Sequence, residues 1–121
     1  MKLCITSEGN NLDSRVDLRF GRCQYFIIVD IASLDFEAIQ NPNIEATGGA
    51  GIQSAEFLAE KQVKAVVTGN VGPNAFRTLI VAGIDIFICA SGSVKEVLER
   101  YKKGALESAQ APNVNSKFGS K

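Results

Sequence analysis

The chain has 121 residues, of which 13 are basic and 13 acidic, so its formal net charge is zero. This length is typical of one domain, and the balanced charge argues against non-specific binding of nucleic acid, which usually needs a basic excess. Histidine is absent. That absence excludes Ser-His and Cys-His catalysis within the chain, and every zinc site that needs imidazole.

No apolar stretch approaches the roughly 20 residues that span a bilayer. The chain turns polar directly after Met1 to Ile5, so no secretory signal is predicted. The cysteines at positions 4, 23 and 89 form neither a Cys-x-x-Cys pair nor the even-numbered framework of a secreted protein. We therefore expect a cytoplasmic protein with reduced thiols and no membrane association.

The first half of the chain predicts three strands. Lys2 to Ser7 is a short apolar run that ends at a turn signal. After a polar loop, Tyr25 to Ile31 is aromatic and β-branched, as strand surfaces favour. Phe36 to Gln40 alternates weakly and is expected to return as an edge strand.

The second half predicts alternating helices and strands. The glycine-rich loop Thr47 to Gly51 opens a helix, and Val63 to Thr68 follows as a buried strand. Pro73 suits the first turn of a second helix. Ile84 to Cys89 is the last predicted strand, and the capping-box pattern Ser93 to Glu96 starts a third helix. The order β-β-β-α-β-α-β-α predicts a mixed α/β sheet covered by helices.

A candidate binding edge follows from this order, because α/β sheets bind ligands outside the carboxyl ends of their parallel strands. The loops expected there are Ser7 to Ser14, Thr68 to Asn74 and Ala90 to Ser93. An antiparallel second strand would bring Phe20 to Cys23 to the same edge. Helix N-termini at Gly51, Pro73 and Ser93 are expected to present free N–H groups, which attract anions.

We therefore predict an anion-accepting edge. Its predicted binding residues are Ser7, Asn10, Arg22, Gly49, Gly51, Gly69, Gly72 and Asn74. Arg15 and Arg19 would add positive charge beside Arg22. The alternative stays open that these glycines serve only turn geometry and that the arginines are solvated surface. Neither glycine loop matches a dinucleotide or P-loop fingerprint, so nucleotide binding is disfavoured.

Cys23 is the predicted metal ligand, because it lies beside Arg22 where a loop meets a strand, and cationic neighbours favour thiolate. Cys4 lies within a strand and is expected in the core, whereas Cys89 could face either way. All three thiols could equally be structural. A two-metal nuclease needs several acidic residues close together, and the sequence shows no such cluster, since Asp30 is an isolated strand residue. We therefore do not expect an enzyme.

Several runs together carry a family resemblance over nearly all of residues 1–106: Leu12-Asp13-Ser14, Phe20 to Asp30, Gly49 to Gln53, Thr68 to Ala75, Gly83-Ile84 and Tyr101 to Leu106. They resemble the dinitrogenase iron-molybdenum cofactor biosynthesis family. The resemblance implies one ribonuclease H-like domain with five strands in the order 3-2-1-4-5 and helices on both faces. Residues 107–121 would follow as a polar, flexible tail.

The resemblance also implies a non-catalytic carrier of an iron–sulfur or iron-molybdenum cofactor precursor, with a protein partner in cofactor assembly. Family members in that role are thought to use histidine and cysteine near the cofactor, and this chain lacks histidine. In the implied strand order Cys23 and Cys89 lie three strands, about 14 Å, apart, so we do not expect them to share a cluster. The alternative is a small regulatory or interaction domain that binds an anionic metabolite, or a partner at the edge strand Phe36 to Gln40. The oligomeric state stays open.

Overall fold

The computed structural model describes residues 1–45, 48–89 and 91–114. The strands are β1 (Lys2–Ser7), β2 (Tyr25–Asp30), β3 (Phe36–Gln40), β4 (Val63–Thr68), β5 (Asp85–Ile88) and β6 (Glu107–Ser108). The helices are α1 (Ala50–Glu60), α2 (Pro73–Val81) and α3 (Val94–Lys102). Within the described ranges, none of these helices has the length and apolar character needed to cross a bilayer.

All strands form one mixed sheet in the order β3-β2-β1-β4-β5-β6. The pairs β1–β4 and β4–β5 are parallel, while β1–β2, β2–β3 and β5–β6 are antiparallel. The predicted mixed α/β architecture is confirmed, but the five-strand count is wrong, because β6 extends the sheet beyond β5. The ribonuclease H-like classification stays a prediction.

The sixth strand could not be predicted from the sequence because it has no hydrophobic pattern. Glu107 and Ser108 are both polar and exposed, and only their pairing with Ile88 and Phe87 makes them a strand. The N–H of Ala109 also donates to the carbonyl of Ile86 at 2.8 Å. The described part of the segment expected as a flexible tail therefore includes residues bonded to the sheet.

The sheet has a hydrophobic core on each face, because successive side chains of a strand point to opposite sides. Cys4 and Phe26 pack with Leu58 of α1 and Leu79 of α2 on one face. On the other face, residues of β1, β2 and β4 pack with α3: Leu3, Ile27, Val67, Val97 and Leu98. The expected covering of both faces by helices is confirmed, and the central strands are buried on both sides, as in parallel sheets generally.

A buried polar cluster joins the two central strands to the loop between β1 and β2. The hydroxyl of Thr6 donates to the main-chain carbonyl of Asp17 at 2.7 Å and lies 2.8 Å from the hydroxyl of Thr68. The N–H of Asp17 donates back to the carbonyl of Thr6 at 2.9 Å. All three residues are at most 3% exposed. Because buried polar groups must be paired, this cluster holds the loop on the carboxyl edge of the sheet.

The second half of that loop packs on the start of α1 through a glycine. A Cβ atom at Gly21 would lie 2.7 Å from the main-chain nitrogen of Gly51 and 2.9 Å from its Cα. The carbonyl of Gly21 accepts hydrogen bonds from Asn41 at 3.1 Å and from Ser54 at 3.3 Å. Only glycine allows this approach of two backbones.

We expect Thr6→Val to lower the free energy of unfolding by about 1–3 kcal/mol, because the shape is kept while buried polar partners lose their hydrogen bond. Urea denaturation monitored by circular dichroism measures the change. The control is Thr78→Val, whose hydroxyl bonds to the carbonyl of Asn74 on the exposed side of α2. Equal losses in both variants would contradict the importance of the buried cluster.

We expect Gly21→Ala to lower the free energy of unfolding by about 1–3 kcal/mol, because the new methyl group would overlap the backbone of Gly51. The matched control is Gly48→Ala, where a Cβ would meet no atom of the described residues within 4 Å. The same denaturation experiment compares the two variants. A Gly21→Ala protein as stable as the control would refute the close approach.

Candidate functional site

The predicted site residues lie in the loops at the carboxyl edge of the parallel strands, as expected. Ser7 ends β1, Arg22 and Cys23 precede β2, and Gly69 follows β4. The remaining residues lie in the loop after β1 or at the starts of α1 and α2: Asn10, Gly49, Gly51, Gly72 and Asn74. The antiparallel pairing of β1 and β2 brings the segment before β2 to this edge, so that expectation is confirmed.

Ser7 and Arg22 make local hydrogen bonds. The hydroxyl of the fully buried Ser7 donates to the carbonyl of Gly9 at 2.7 Å and accepts from its N–H at 3.2 Å. The Nη1 atom of the half-buried Arg22 donates to the carbonyl of Ile44 at 3.0 Å. Both side chains therefore shape the loops of this edge, whereas Asn10 is exposed.

Two of the predicted glycines have a clear packing role. A Cβ at Gly51 would lie 2.9 Å from the Cβ of Ala75, so this glycine lets α1 and α2 approach each other at their N-termini. A Cβ at Gly69 would lie within 2.8 Å of side-chain and main-chain atoms of Leu18. Gly49 adopts a φ of 69°, which L-residues other than glycine rarely adopt. Gly51 thus brings the two helices together, and Gly69 brings the β4–α2 loop against the β1–β2 loop.

Among the described residues, the N-termini of α1 and α2 are open in the sense that no side chain caps them, although the backbone at Gly21 packs on the start of α1. Their N-cap residues, Gly49 and Gly72, provide no side-chain hydrogen bond, and neither helix has an acidic residue in its first turn. A Cβ at Gly48 or Gly49, just before α1, would meet no atom of the described residues within 4 Å. Both helix starts therefore keep their partial positive charge next to one another.

The N-terminus of α3 is closed, so the expectation of free N–H groups at Ser93 is wrong. Ser93 and Glu96 form a capping box, in which the Ser93 hydroxyl accepts from Glu96 N–H at 3.1 Å. The N–H groups of Val94 and Lys95 donate to carbonyls of the loop after β1, each at 2.8 Å. The sequence revealed the capping box but not this long-range pairing. Ala90, in the expected loop Ala90 to Ser93, lies outside the described residues.

A depression with a volume of about 440 Å³ also lies at this edge, lined by Glu8, Asp17, Leu18, Arg19 and Gln24. The Oδ1 atom of Asp17 accepts from the N–H of Arg19 at 3.1 Å and lies 3.5 Å from its Nε. Its Oδ2 accepts from the N–H of Gln24 at 3.1 Å. The Asp17 carboxylate thus offsets the Arg19 cation and Glu8 adds negative charge, so the depression alone does not favour anions.

Glu8 lies in the loop Ser7 to Ser14 that was expected at this edge, whereas Asp17 and Gln24 were not predicted there. One signal was available, since an aspartate in a loop often accepts a hydrogen bond from the N–H two residues later, as Asp17 does with Arg19. The bond to Gln24 had no local signal because it spans seven residues.

The three cysteines are buried and unbonded to one another. Cys23 is fully buried in the core beside α1 and α2, where the Asn41 amide nitrogen lies 3.9 Å from its sulfur. Burial raises the pKa of the Cys23 thiol well above its ordinary value, and nearby Cys4 and Asp17 add to that effect. The expectation that cationic neighbours favour a Cys23 thiolate is therefore wrong, because Arg19 lowers this pKa less than burial raises it.

The other two thiols are also held in the protonated form. Burial raises the pKa of Cys4 and of Cys89. Cys89 belongs to the core beside α3, on the opposite face of the sheet from Cys23. The expectation that these two cysteines do not share a cluster agrees with this placement. Over the described ranges, no three His, Cys, Asp or Glu residues are grouped to hold a metal ion.

Several solved structures share this fold, among them two at more than 30% identity. The orange protein from Desulfovibrio gigas in its apo form superposes with a TM-score of 0.90 and 36% identity, over 93% of this chain and 96% of that one. A putative NifB protein from Thermotoga, assigned to the DUF35 family, superposes with a TM-score of 0.83 and 34% identity, over 93% and 97% of the two chains.

Sequence comparison gives the same result. An uncharacterized protein of Methanocaldococcus jannaschii is 31% identical over 110 residues, which cover 88% of this chain and 90% of that protein. The family model described as dinitrogenase iron-molybdenum cofactor matches residues 1–104, which include the open helix starts and the loop between β1 and β2. The chain therefore belongs to the dinitrogenase iron-molybdenum cofactor family.

Proposed function

We propose that this protein binds and carries an anionic iron–sulfur or iron-molybdenum cofactor precursor and does not itself catalyse a reaction. The observation that carries this proposal is the pair of adjacent, open N-termini of α1 and α2 in a chain of this family. Metal–sulfide cofactor precursors are anions, and a carrier needs to hold them reversibly. A relative at 36% identity was solved as an apo form, a term for a protein without its ligand.

The physical basis is the charge of the helix ends. Each helix start has N–H groups without a partner inside the helix, which in α2 begin at Asn74 because Pro73 has no N–H, and carries about half an elementary positive charge. Two such ends meet where Gly51 contacts Ala75, and the exposed side chain of Asn74 lies in the first turn of α2. Neutral hydrogen-bond donors of this kind bind an anion without supplying a ligand to its metal atoms.

Hydrogen bonding, and not thiolate ligation, is the mode of binding that the burial of the cysteines supports. A thiolate must reach the metal, and the Cys23 side chain has no exposed surface. Ligation of a metal by Cys23 stays a prediction. The variant Cys23→Ala distinguishes thiolate ligation from binding by hydrogen bonds alone. The three free thiols suit a reducing compartment, and we place the protein in the cytoplasm on that ground.

A second candidate function is docking of a protein partner in cofactor assembly at the edge strand β3. Among the described residues this strand ends the sheet, so the main-chain groups on one of its sides have no neighbouring strand there. Phe36 is 42% exposed at its start. Open strand edges commonly pair with another chain. Such docking is compatible with a carrier, since a cofactor must pass to an acceptor.

We expect Asn74→Asp to weaken binding of an anionic cluster about fivefold. The substitution replaces a neutral amide by a carboxylate of the same shape and so places a negative charge beside the open helix starts. The probe is a synthetic thiolate-capped iron–sulfur cubane dianion, added anaerobically and measured by visible absorbance of the protein fraction after gel filtration. The stability of α2 should rise slightly, since a carboxylate favours a helix N-terminus.

The control for Asn74→Asp is Gln62→Glu, the same change of charge at an exposed residue after the C-terminal end of α1. We expect this variant to bind like the wild type. If both variants bound the probe equally weakly, the change in net charge would explain the effect, and a binding site at the helix starts would be contradicted. A wild-type protein that retains no probe would contradict the carrier function.

We expect Cys23→Ala to bind the same probe with unchanged affinity and an unchanged visible spectrum, because the buried sulfur takes no part in the proposed site. Reconstitution with iron and sulfide, followed by absorbance, extends the comparison to clusters assembled on the protein. Loss of the colour in Cys23→Ala, in a protein whose circular dichroism spectrum is intact, would instead establish thiolate ligation.

A further inference from the structure

A single asparagine beyond the matched family region holds the loop between β4 and α2. The Oδ1 atom of Asn113 accepts from the N–H of Val71 at 2.7 Å, and its Nδ2 donates to the carbonyl of Gly69 at 2.9 Å. The N–H of Asn113 donates to the carbonyl of Val71 at 3.1 Å. Asn113 therefore makes three hydrogen bonds to one short loop, two from its side chain and one from its main chain.

The loop held by Asn113 also contacts the segment that contains Arg19. The N–H of Phe20 donates to the carbonyl of Asn70 at 3.3 Å, and Arg19 and Asn70 form a parallel bridge. Gly69 packs against Leu18 so closely that a Cβ would overlap it. Residues 69–71 therefore contact Asn113 on one side and residues 18–20 on the other.

This loop leads directly into the open N-terminus of α2. Gly72, the N-cap residue, follows Val71, and its carbonyl accepts the N–H of Phe76 at 2.9 Å. Val71 is only 1% exposed and packs in the core beside α2, so a shift of this residue would move the helix start with it. The pairing of β6 with β5 anchors the segment that presents Asn113.

We propose that Asn113 is a positioning residue, which fixes the β4–α2 loop and through it the orientation of the N–H groups at the start of α2. Its effect on a ligand rests on the proposed function of that helix start, whereas its hold on the loop does not. Because the family model ends at residue 104, the C-terminal segment adds this support to a site built from the matched region.

The test compares Asn113→Ala with two controls. Gln110→Ala changes an exposed amide in the same segment, whose side chain bonds to Ser108 and not to the loop. Val97→Ala removes buried methyl groups in α3, on the opposite face of the sheet, and therefore lowers stability without touching the loop. The readouts are the hydrogen-exchange rate of the Val71 amide and the dissociation constant for the thiolate-capped iron–sulfur cubane.

We expect Asn113→Ala to accelerate exchange of the Val71 amide about tenfold relative to the wild type, since its acceptor is lost. Its dissociation constant for the cubane should rise several-fold, while Gln110→Ala and Val97→Ala bind like the wild type. If Val97→Ala raised the dissociation constant to the same extent, lost stability would explain the weaker binding of Asn113→Ala, and the proposal would be overturned.

The two proposals fail in different ways. If the wild type binds no cubane, the proposed function is wrong, and accelerated Val71 exchange in Asn113→Ala still supports the hold of Asn113 on the loop. Unchanged Val71 exchange overturns the role of Asn113 whether or not the cubane binds. If the wild type binds the cubane and Asn113→Ala shows faster Val71 exchange but the same affinity, the proposed role of Asn113 is also overturned. The loop would then not orient the N–H groups of the site.

Discussion

The hydroxyl of Thr6 and the main chain of Asp17 make the contact on which the carboxyl edge of the sheet depends. Two hydrogen bonds between these residues, with the Thr68 hydroxyl beside them, tie the β1–β2 loop to both central strands in a site that water does not reach. Buried polar groups are costly when unpaired, so the loop has one favourable position. From that position the Asp17 carboxylate reaches the main chain of Arg19 and Gln24, and the loop continues to Gly21 on α1.

This loop divides the edge into a closed part and an open part. Its first half supplies carbonyl groups to the N–H groups of Val94 and Lys95, which satisfies the start of α3 together with the capping box. Its second half meets the start of α1 through Gly21 and the β4–α2 loop through Leu18. Among the described residues, no side chain caps the N-termini of α1 and α2. An anion attracted by helix ends would therefore meet α1 and α2 and not α3. The contact of Gly51 with Ala75 places the two helix starts next to each other.

Much of the fold could be predicted from the sequence because its signals are local. The apolar runs of β1, β2 and β4 and the capping box of α3 were found within one or two residues of their positions. β6 could not be predicted, since Glu107 and Ser108 have no apolar pattern and pair only because β5 offers a free edge. Cys23 was misjudged for a related reason: Arg22 is its neighbour in sequence, but the guanidinium turns to the Ile44 carbonyl while the thiol turns into the core.

The sequence by itself determined the order of helices and strands, the gathering of the glycine loops at one edge, and the absence of histidine chemistry, because composition and local pattern carry that information. Only the tertiary structure decided which helix starts are open. Whether an N–H group is free depends on partners distant along the chain, such as the carbonyl of Leu12 for Lys95. The same holds for Asn113, whose amide reaches the loop of Gly69 across 44 residues. Contacts over such distances arise from packing of the whole sheet, which no short stretch of sequence encodes.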